Sequence, residues 1–511
     1  MRLNLLDFLL CPDCRAPLAC VPFEMKSVEP DFGHFCRFWC AAKGLAIQGT
    51  APADWNGVRW PAERLSFAKP AVIDLEDCRI CQRHDVGQGA LICGRCGRVF
   101  PVIETIPEVL PRELRNAERD KNFFVRFRDQ LGARAEGILE SKPTEAGGAW
   151  AAGVAAAGAK DERKYKKAEM SLTRRADLPS GFFGPGLVVP FEPLHPIRSI
   201  EKILRFMISV HHANLRFGDY VLDLGVGYAW TTEWLKKLGY SVIGVDINRD
   251  YLGVGLERTG SRLPPLLVAD VENLPVRGGR FHGVLFYDAF HHIANREACL
   301  RSCAEMLMPG GLLIMAEPGP KHESHPASVQ VMKTYGILEK GITEKELQKM
   351  IRDTAFEDVK KFPYGFGEVE ILLLKKKGTR VYTSKGPNLL SARIEPRMRR
   401  GDLKAGEPWT AALRVHNIGD TLWLHKTVDG VGEVRIGFQL KSAERVLLNE
   451  NYHRAALPRD LAPGESVDIE TVLPPVTAPG DYILEIDGVS EGIIWFKDLT
   501  YNPEVVNLKV R

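Results

Sequence analysis

A chain of 511 residues, 45% hydrophobic and 26% charged, has the composition of ordinary globular protein but is too long for one core; ~150 residues per domain gives about three. Its 68 basic and 65 acidic residues, a net +3, give no electrostatic basis for nucleic acid as the main partner. No apolar run approaches the ~18 residues of a membrane span, and Asp7 breaks the apolar opening MRLNLLDFLL with no small-residue cleavage site behind it, so a soluble, cytoplasmic protein is expected.

Residues 1–111 are rich in cysteine. Nine of the eleven cysteines lie here, several as close pairs, and paired spacing without a secretory signal reads as metal ligation. Cys78-x2-Cys81 and Cys93-x2-Cys96 suit two knuckles of one four-thiolate zinc site. Cys11 and Cys14 form another pair, as do the more widely spaced Cys36 and Cys40. The favoured expectation is two structural zinc sites, Cys78/Cys81/Cys93/Cys96 and Cys11/Cys14/Cys36/Cys40, because a single site leaves four paired thiols unused. The alternative is one site in which Cys11 and Cys14 meet Cys93 and Cys96 around a long insertion. Cys20 is left over.

Residues 112–215 read as a helical linker and lid: charged helical patterns, then the Ala/Gly-rich EAGGAWAAGVAAAGAKDERKYKK, a linker or loose helix. In 216–378, apolar strands (YVLDLG, SVIGVDI, PPLLVAD, FHGVLFYD, GLLIMAE) alternate with helical segments, which predicts a doubly wound, mainly parallel α/β sheet. A last helix, TEKELQKMIRDT, and two hairpin-spaced strands close the region. Residues 379–511 carry turn signals between short alternating runs, the pattern of an antiparallel, immunoglobulin-like β-sandwich. Its Trp409, Trp423, Trp495 and Phe496 read as sandwich core in preference to a sugar-stacking face.

The turn VLDLGVGYAW carries a Gly-x-Gly pair, but Trp230 occupies the third position of a dinucleotide fingerprint, which argues against NAD or FAD. Asp223, Asp246 and Asp270 close three successive strands, and Tyr287 and Asp288 a fourth, where open α/β sheets place ligands. The bland rival, acids that only cap helices, fits Asp246 alone but not the whole set.

The elements DLGVG, GVDIN, ADVENLP, YDAFHHI and MPGGLLIMAEPG resemble, in order and spacing, the class I S-adenosylmethionine-dependent methyltransferases. The resemblance implies S-adenosyl-L-methionine as cofactor, with Asp223, Gly225 and Gly227 around the methionine moiety. It further implies Asp246 and Ile247 at the ribose, Asp270 and Val271 at the adenine, Tyr287 beside them, and a last strand inserted antiparallel. Ala229 departs from the family, where many members carry a third glycine. His291, His292 and Asp288 are the candidates for deprotonating an acceptor, with Glu317 a further acid at the pocket edge. HESHPASVQVMKTYGILEKG is the insertion expected to meet the substrate, and Cys299 and Cys303 are expected to pack as small hydrophobes. The knuckles CPDC and CGRCGRVF resemble zinc-ribbon proteins that accompany methyltransferases. The expected reaction is methyl transfer to a sugar or glycan hydroxyl, with glycan contact through the C-terminal sandwich. The alternatives are a quinone or lipid small-molecule acceptor and, from another class, a non-catalytic scaffold of ribbon and sandwich.

Overall fold

The computed structural model describes residues 1–28, 54–55, 58–59, 83–131, 159–172, 189–191, 196–260, 264–352, 354–364, 369–380, 382–386, 390–397, 402–427, 430–499 and 502–511. These form two units: Met1–Leu215 with Asp219–Arg380, and Arg216–Gly218 with Val381–Arg511.

The first unit opens with a four-stranded antiparallel sheet, β1 (Leu18–Ser27), β2 (His84–Cys93), β3 (Val99–Ile103) and β4 (Ile106–Pro107), paired in that order. Three helices follow: α1 (Ala117–Arg126), α2 (Ala159–Ser171) and α3 (Pro196–Ala213). The alternating segment then gives β5 (Tyr220–Leu224), α4 (Trp230–Lys237), β6 (Ser241–Asp246), α5 (Arg249–Thr259), β7 (Leu266–Val268), β8 (Phe281–Tyr287), α6 (Arg296–Met306) and β9 (Leu307–Pro318). After α7 (Pro326–Tyr335) and α8 (Glu344–Arg352) come β10 (Phe356–Tyr364) and β11 (Val369–Lys376).

The seven strands order as β10-β11-β9-β8-β5-β6-β7. β5 to β9 run parallel, and β11 enters antiparallel between β9 and β10, as the family resemblance implied. The strand order reverses beside β5, so the crevice of a doubly wound sheet falls at the carboxyl ends of β5, β6 and β8. Val221, Leu222 and Leu224 in β5, and every residue of β8 except His282, are buried, because helices cover both faces of the parallel strands.

The N-terminal sheet is not a separate bead. Leu3, Leu5, Leu6, Phe8, Leu9 and Leu18 share one continuous core with Leu222, Leu224, Ile243, Val284 and Phe286 of the seven-stranded sheet. Backbone bonds join the two parts: Leu10 N–H to the Pro275 carbonyl at 2.8 Å, Arg277 N–H to Phe8 at 2.8 Å and Val109 N–H to Val268 at 2.9 Å. Glu108 bridges Val268 in parallel, which covers the open edge of β7. Asp7 and Arg280 form a buried ion pair at 2.7 Å, with the Arg280 guanidinium 4.2 Å over the Phe8 ring. Cys299 and Cys303 lie in this core, as expected of small apolar side chains.

The second unit holds a three-stranded sheet, β12 (Ala392–Pro396), β13 (Trp409–Asn417) and Ser466–Leu473. A six-stranded sheet is built around Val434–Ser442, Leu447–Ala456, Gly480–Ser490 and Glu504–Val510. Alternation of period two sends Ile394, Leu413 and Val415 from the first sheet, and Ile436, Phe438, Leu484 and Ile486 from the second, into one core. Trp423 and Phe496 are fully buried there, 5.2 Å apart, and are closed to any ligand. Trp495 lies under the Arg454 guanidinium at 4.2 Å, and Lys497 sits 5.3 Å from its ring centre.

Candidate active site

The chain leaves β5 through a tight turn in which Gly225 (φ +68°), Gly227 (φ +51°) and Ala229 (φ +57°) all adopt left-handed backbone. A Cβ on Gly225 would stand 2.5 Å from that of Ala289, in the loop after β8, so glycine is required there by packing as well as by conformation. At Gly227 the same position faces open space, which leaves the turn accessible to a ligand. At Ala229, where the family resemblance implies glycine, the left-handed φ costs alanine about 1 kcal/mol.

Asp223 is buried, and one of its oxygens accepts from the hydroxyls of Thr231 (2.7 Å) and Thr232 (2.6 Å) at the start of α4. Its other oxygen, also buried, has no hydrogen-bond partner among the described residues. Asp246 accepts the Gly227 amide at 2.7 Å and the Asn248 amide at 2.7 Å, so it clamps the glycine turn to β6. Asn248, not Asp246, caps α5 through the amides of Asp250 and Tyr251, which disposes of the capping rival. Burial pushes the Asp223 carboxyl up to about 7 and that of Asp246 up to about 6. Ile247 is partly buried beside Val226 and Leu252.

Asp270, at the end of β7, does act as a cap, accepting the Glu272 amide at 3.0 Å. Its second oxygen holds Lys166 of α2 at 2.7 Å, and Lys166 also reaches Glu272 at 2.5 Å. Val271 turns into the core. Helix α2 therefore roofs the crevice: Asn248 donates to the carbonyls of Glu169 and Leu172, and the Glu169 carboxylate lies 3.4 Å from His292. Burial, with Asp246 nearby, raises the Glu169 carboxyl to about 8. Lys166 and Glu169 carry no motif and were read only as part of a lid.

The Tyr287 hydroxyl donates to the Lys202 carbonyl at 2.7 Å and accepts from Arg205 at 2.9 Å, and its ring packs on Trp230 and Phe206. Strand alternation puts Tyr287 on the face of Leu285, the residue paired with Asp223, and there its side chain docks α3. Asp288, exposed and at φ +56°, follows; Arg205 at 3.5 Å holds its carboxyl below the usual range despite desolvation.

On the acceptor side stand His291 and His292. Glu317 accepts the amides of Ala289 (3.0 Å) and Phe290 (2.9 Å) on one oxygen and His291 Nδ1 at 2.9 Å on the other. Glu317 thus accepts on both oxygens, so His291 Nδ1 carries the hydrogen and Nε2 is presented outward. Burial opposes charge on His291, but the hydrogen bond and charge of Glu317 outweigh it and raise its pKa. Burial, then the neighbouring His291, hold His292 low. Glu339 and His322, from the insertion expected to meet substrate, complete the group, 2.6 Å apart.

The cysteines correct the favoured pairing. Cys11, Cys14, Cys93 and Cys96 converge with all four sulfurs within 4.8 Å of one another, Cys14 to Cys93 at 3.4 Å and Cys11 to Cys96 at 3.6 Å. Tetrahedral zinc–sulfur bonds of ~2.3 Å would set sulfurs roughly 3.8 Å apart, so the donor set fits one all-thiolate structural ion. Cys93 and Cys96 thus cannot pair with Cys78 and Cys81 in a common site. Cys36, Cys40, Cys78 and Cys81 lie outside the described residues. Cys20 is buried in the N-terminal core.

Comparison with known proteins agrees with this geometry. Residues 222–315 match the methyltransferase domain family, and residues 2–104 match the Trm112p-like protein family. A ubiquinone biosynthesis O-methyltransferase of Aliivibrio fischeri is 29% identical over 180 residues, covering 33% of this chain and 75% of that protein. Among solved structures, a Haemonchus contortus phosphoethanolamine N-methyltransferase 2 bound to S-adenosyl-L-methionine is 14% identical with a TM-score of 0.31, covering 34% of this chain and 53% of that one. A complex of the Haloferax volcanii Trm112 methyltransferase activator with a methyltransferase gives 19% identity and a TM-score of 0.30, covering 34% of this chain and 91% of that one. The chain carries a class I, S-adenosylmethionine-dependent methyltransferase domain, and ahead of it a Trm112p-like segment.

Proposed function

We propose that the chain methylates a hydroxyl of a small phenolic or quinol-type molecule, with S-adenosyl-L-methionine as donor. The observation that carries this reading is the run of buried carboxyls at successive strand ends, Asp223 and Asp246, around a glycine turn open at Gly227. A crevice of this sign suits a sulfonium and repels a pyrophosphate. When bound, the cofactor supplies an electrophilic methyl group. The residues of this chain align donor and acceptor and exclude water, with α2 as the roof. Glu317 orients His291, which we read as the residue that activates the acceptor hydroxyl.

The ubiquinone-related names of the relatives favour the quinone alternative over the sugar or glycan hydroxyl first expected. Burial of Trp423 and Phe496 weakens the glycan-stacking role for the second unit, whose two sheets we read as an immunoglobulin-like sandwich. We read the four-thiolate cluster as a structural zinc site, and the Trm112p-like segment as support for the open edge of β7.

Isothermal titration of the full chain with S-adenosyl-L-methionine, S-adenosylhomocysteine and NAD tests the reading: the first two should bind and NAD should not. Asp246→Ala should weaken cofactor binding at least ~10-fold, the loss of charge-assisted hydrogen bonds worth about 1.5–3 kcal/mol. A scaffold would show no cofactor binding, and its partner binding would survive that substitution.

A further inference from the structure

We propose that His291, His292 and Glu339, with His322 holding Glu339 in place, form a binding site for a first-row divalent cation at the acceptor end of the crevice. This rests on the reading of the crevice as a methyl-donor site only for its role, not for its existence. Ligand atoms of His291, His292 and Glu339 all lie within 4.8 Å of one another. Glu339 is 2.6 Å from His322 Nε2 and 3.6 Å from His291 Nε2, and the His291 ring centre is 4.0 Å from that of His292 and 4.8 Å from that of His322. Two imidazoles and one carboxylate thus face a single small volume, and His322 holds the carboxylate from beside it.

The hydrogen bonds behind these rings are those of metal ligands. His291 Nδ1 donates to Glu317, and His292 Nδ1 donates to the Leu338 carbonyl at 2.6 Å. Each bond fixes the tautomer that leaves Nε2 unprotonated, and a carboxylate or carbonyl behind the ring is the usual support of a metal-binding histidine. The segment bearing Glu339 is itself pinned: Lys340 N–H donates to the His291 carbonyl at 3.0 Å, and Arg296 donates to the Gly341 carbonyl at 2.9 Å. Imidazole-rich donors with one carboxylate suit zinc, iron, cobalt, nickel or manganese better than magnesium or calcium, which favour oxygen. A cation there would stabilise an acceptor hydroxyl in its ionised form.

The test uses the full chain, stripped with chelator and titrated with Co2+ alone. Cobalt on cysteines shows near-ultraviolet thiolate charge transfer, whereas cobalt on imidazole and carboxylate shows only visible d–d bands. The expected result is an additional equivalent of cobalt without the thiolate band, lost in His292→Ala and in Glu339→Gln, with the thiolate band unchanged in both. His292 is partly exposed and Glu339→Gln is nearly isosteric, so both variants should fold; the retained thiolate band reports it. Cobalt bound only with thiolate character, or an additional equivalent that persists in both variants, overturns the proposal and leaves an ion pair between His322 and Glu339. If the additional equivalent binds but S-adenosyl-L-methionine does not, the metal site stands and the methyl-transfer reading fails.

Discussion

At Asp223 and Asp246 the carboxyls are held up to about 7 and about 6 by burial, and this sets a pH dependence. Below pH 5 both are protonated and neutral toward a cation; from pH 5 to 8 they ionise and attract one. Affinity for S-adenosyl-L-methionine should therefore rise several-fold over that window. Affinity for S-adenosylhomocysteine, which lacks the sulfonium charge, should rise less; parallel titrations at pH 5 and 8 that give equal ratios refute the idea. Both acids also bind protons more tightly folded than unfolded, so their contribution to stability is present below pH ~4 and is lost as pH rises through about 6 to 7. Gly225→Ala should cost about 1–3 kcal/mol in denaturant titration, because φ +68° and the 2.5 Å approach to Ala289 act together.

At the scale of elements, the helix that shuts the crevice is α2. Its Lys166 pairs with Asp270, the residue that the family resemblance assigns to adenine, and Glu169 leans over Asp246 and His292. We propose that cofactor entry opens the Lys166 pair. Lys166→Ala is expected to speed association several-fold in stopped-flow tryptophan fluorescence; an unchanged rate would show that α2 is not the gate. The strand order, the inserted antiparallel strand and the acids at the strand ends were legible in the sequence because period and motif spacing are local. Helix α2 was legible only as a linker, since its polar run AKDERKYKKAEMS shows no apolar stripe to say which surface it meets. Glu339 reaches His291 across an insertion, a separation that spacing rules cannot bridge. The cysteine partners, 79 and 85 residues apart, were legible only as the less favoured of two pairings, because spacing alone rewards the nearer pairs.

Across the whole first unit, Leu3 to Leu18 and the methyltransferase sheet bury their apolar side chains together. Cys93→Ser, or chelation, is expected to destabilise the entire unit, by several kcal/mol if the thiolate cluster holds zinc, seen in calorimetry as a lower thermal midpoint. A midpoint that leaves the crevice's cofactor affinity untouched would separate the two. The thiolate knuckles hold residues 8–10 against Pro275 and Arg277, a few positions beyond the Asp270 turn. An oxidant that capped one of those sulfurs would not need to reach the crevice to silence it; slackening the strap behind β7 would let the adenine end drift. The same chain would then report thiol damage as lost transfer, a coupling that a free-standing methyltransferase domain lacks.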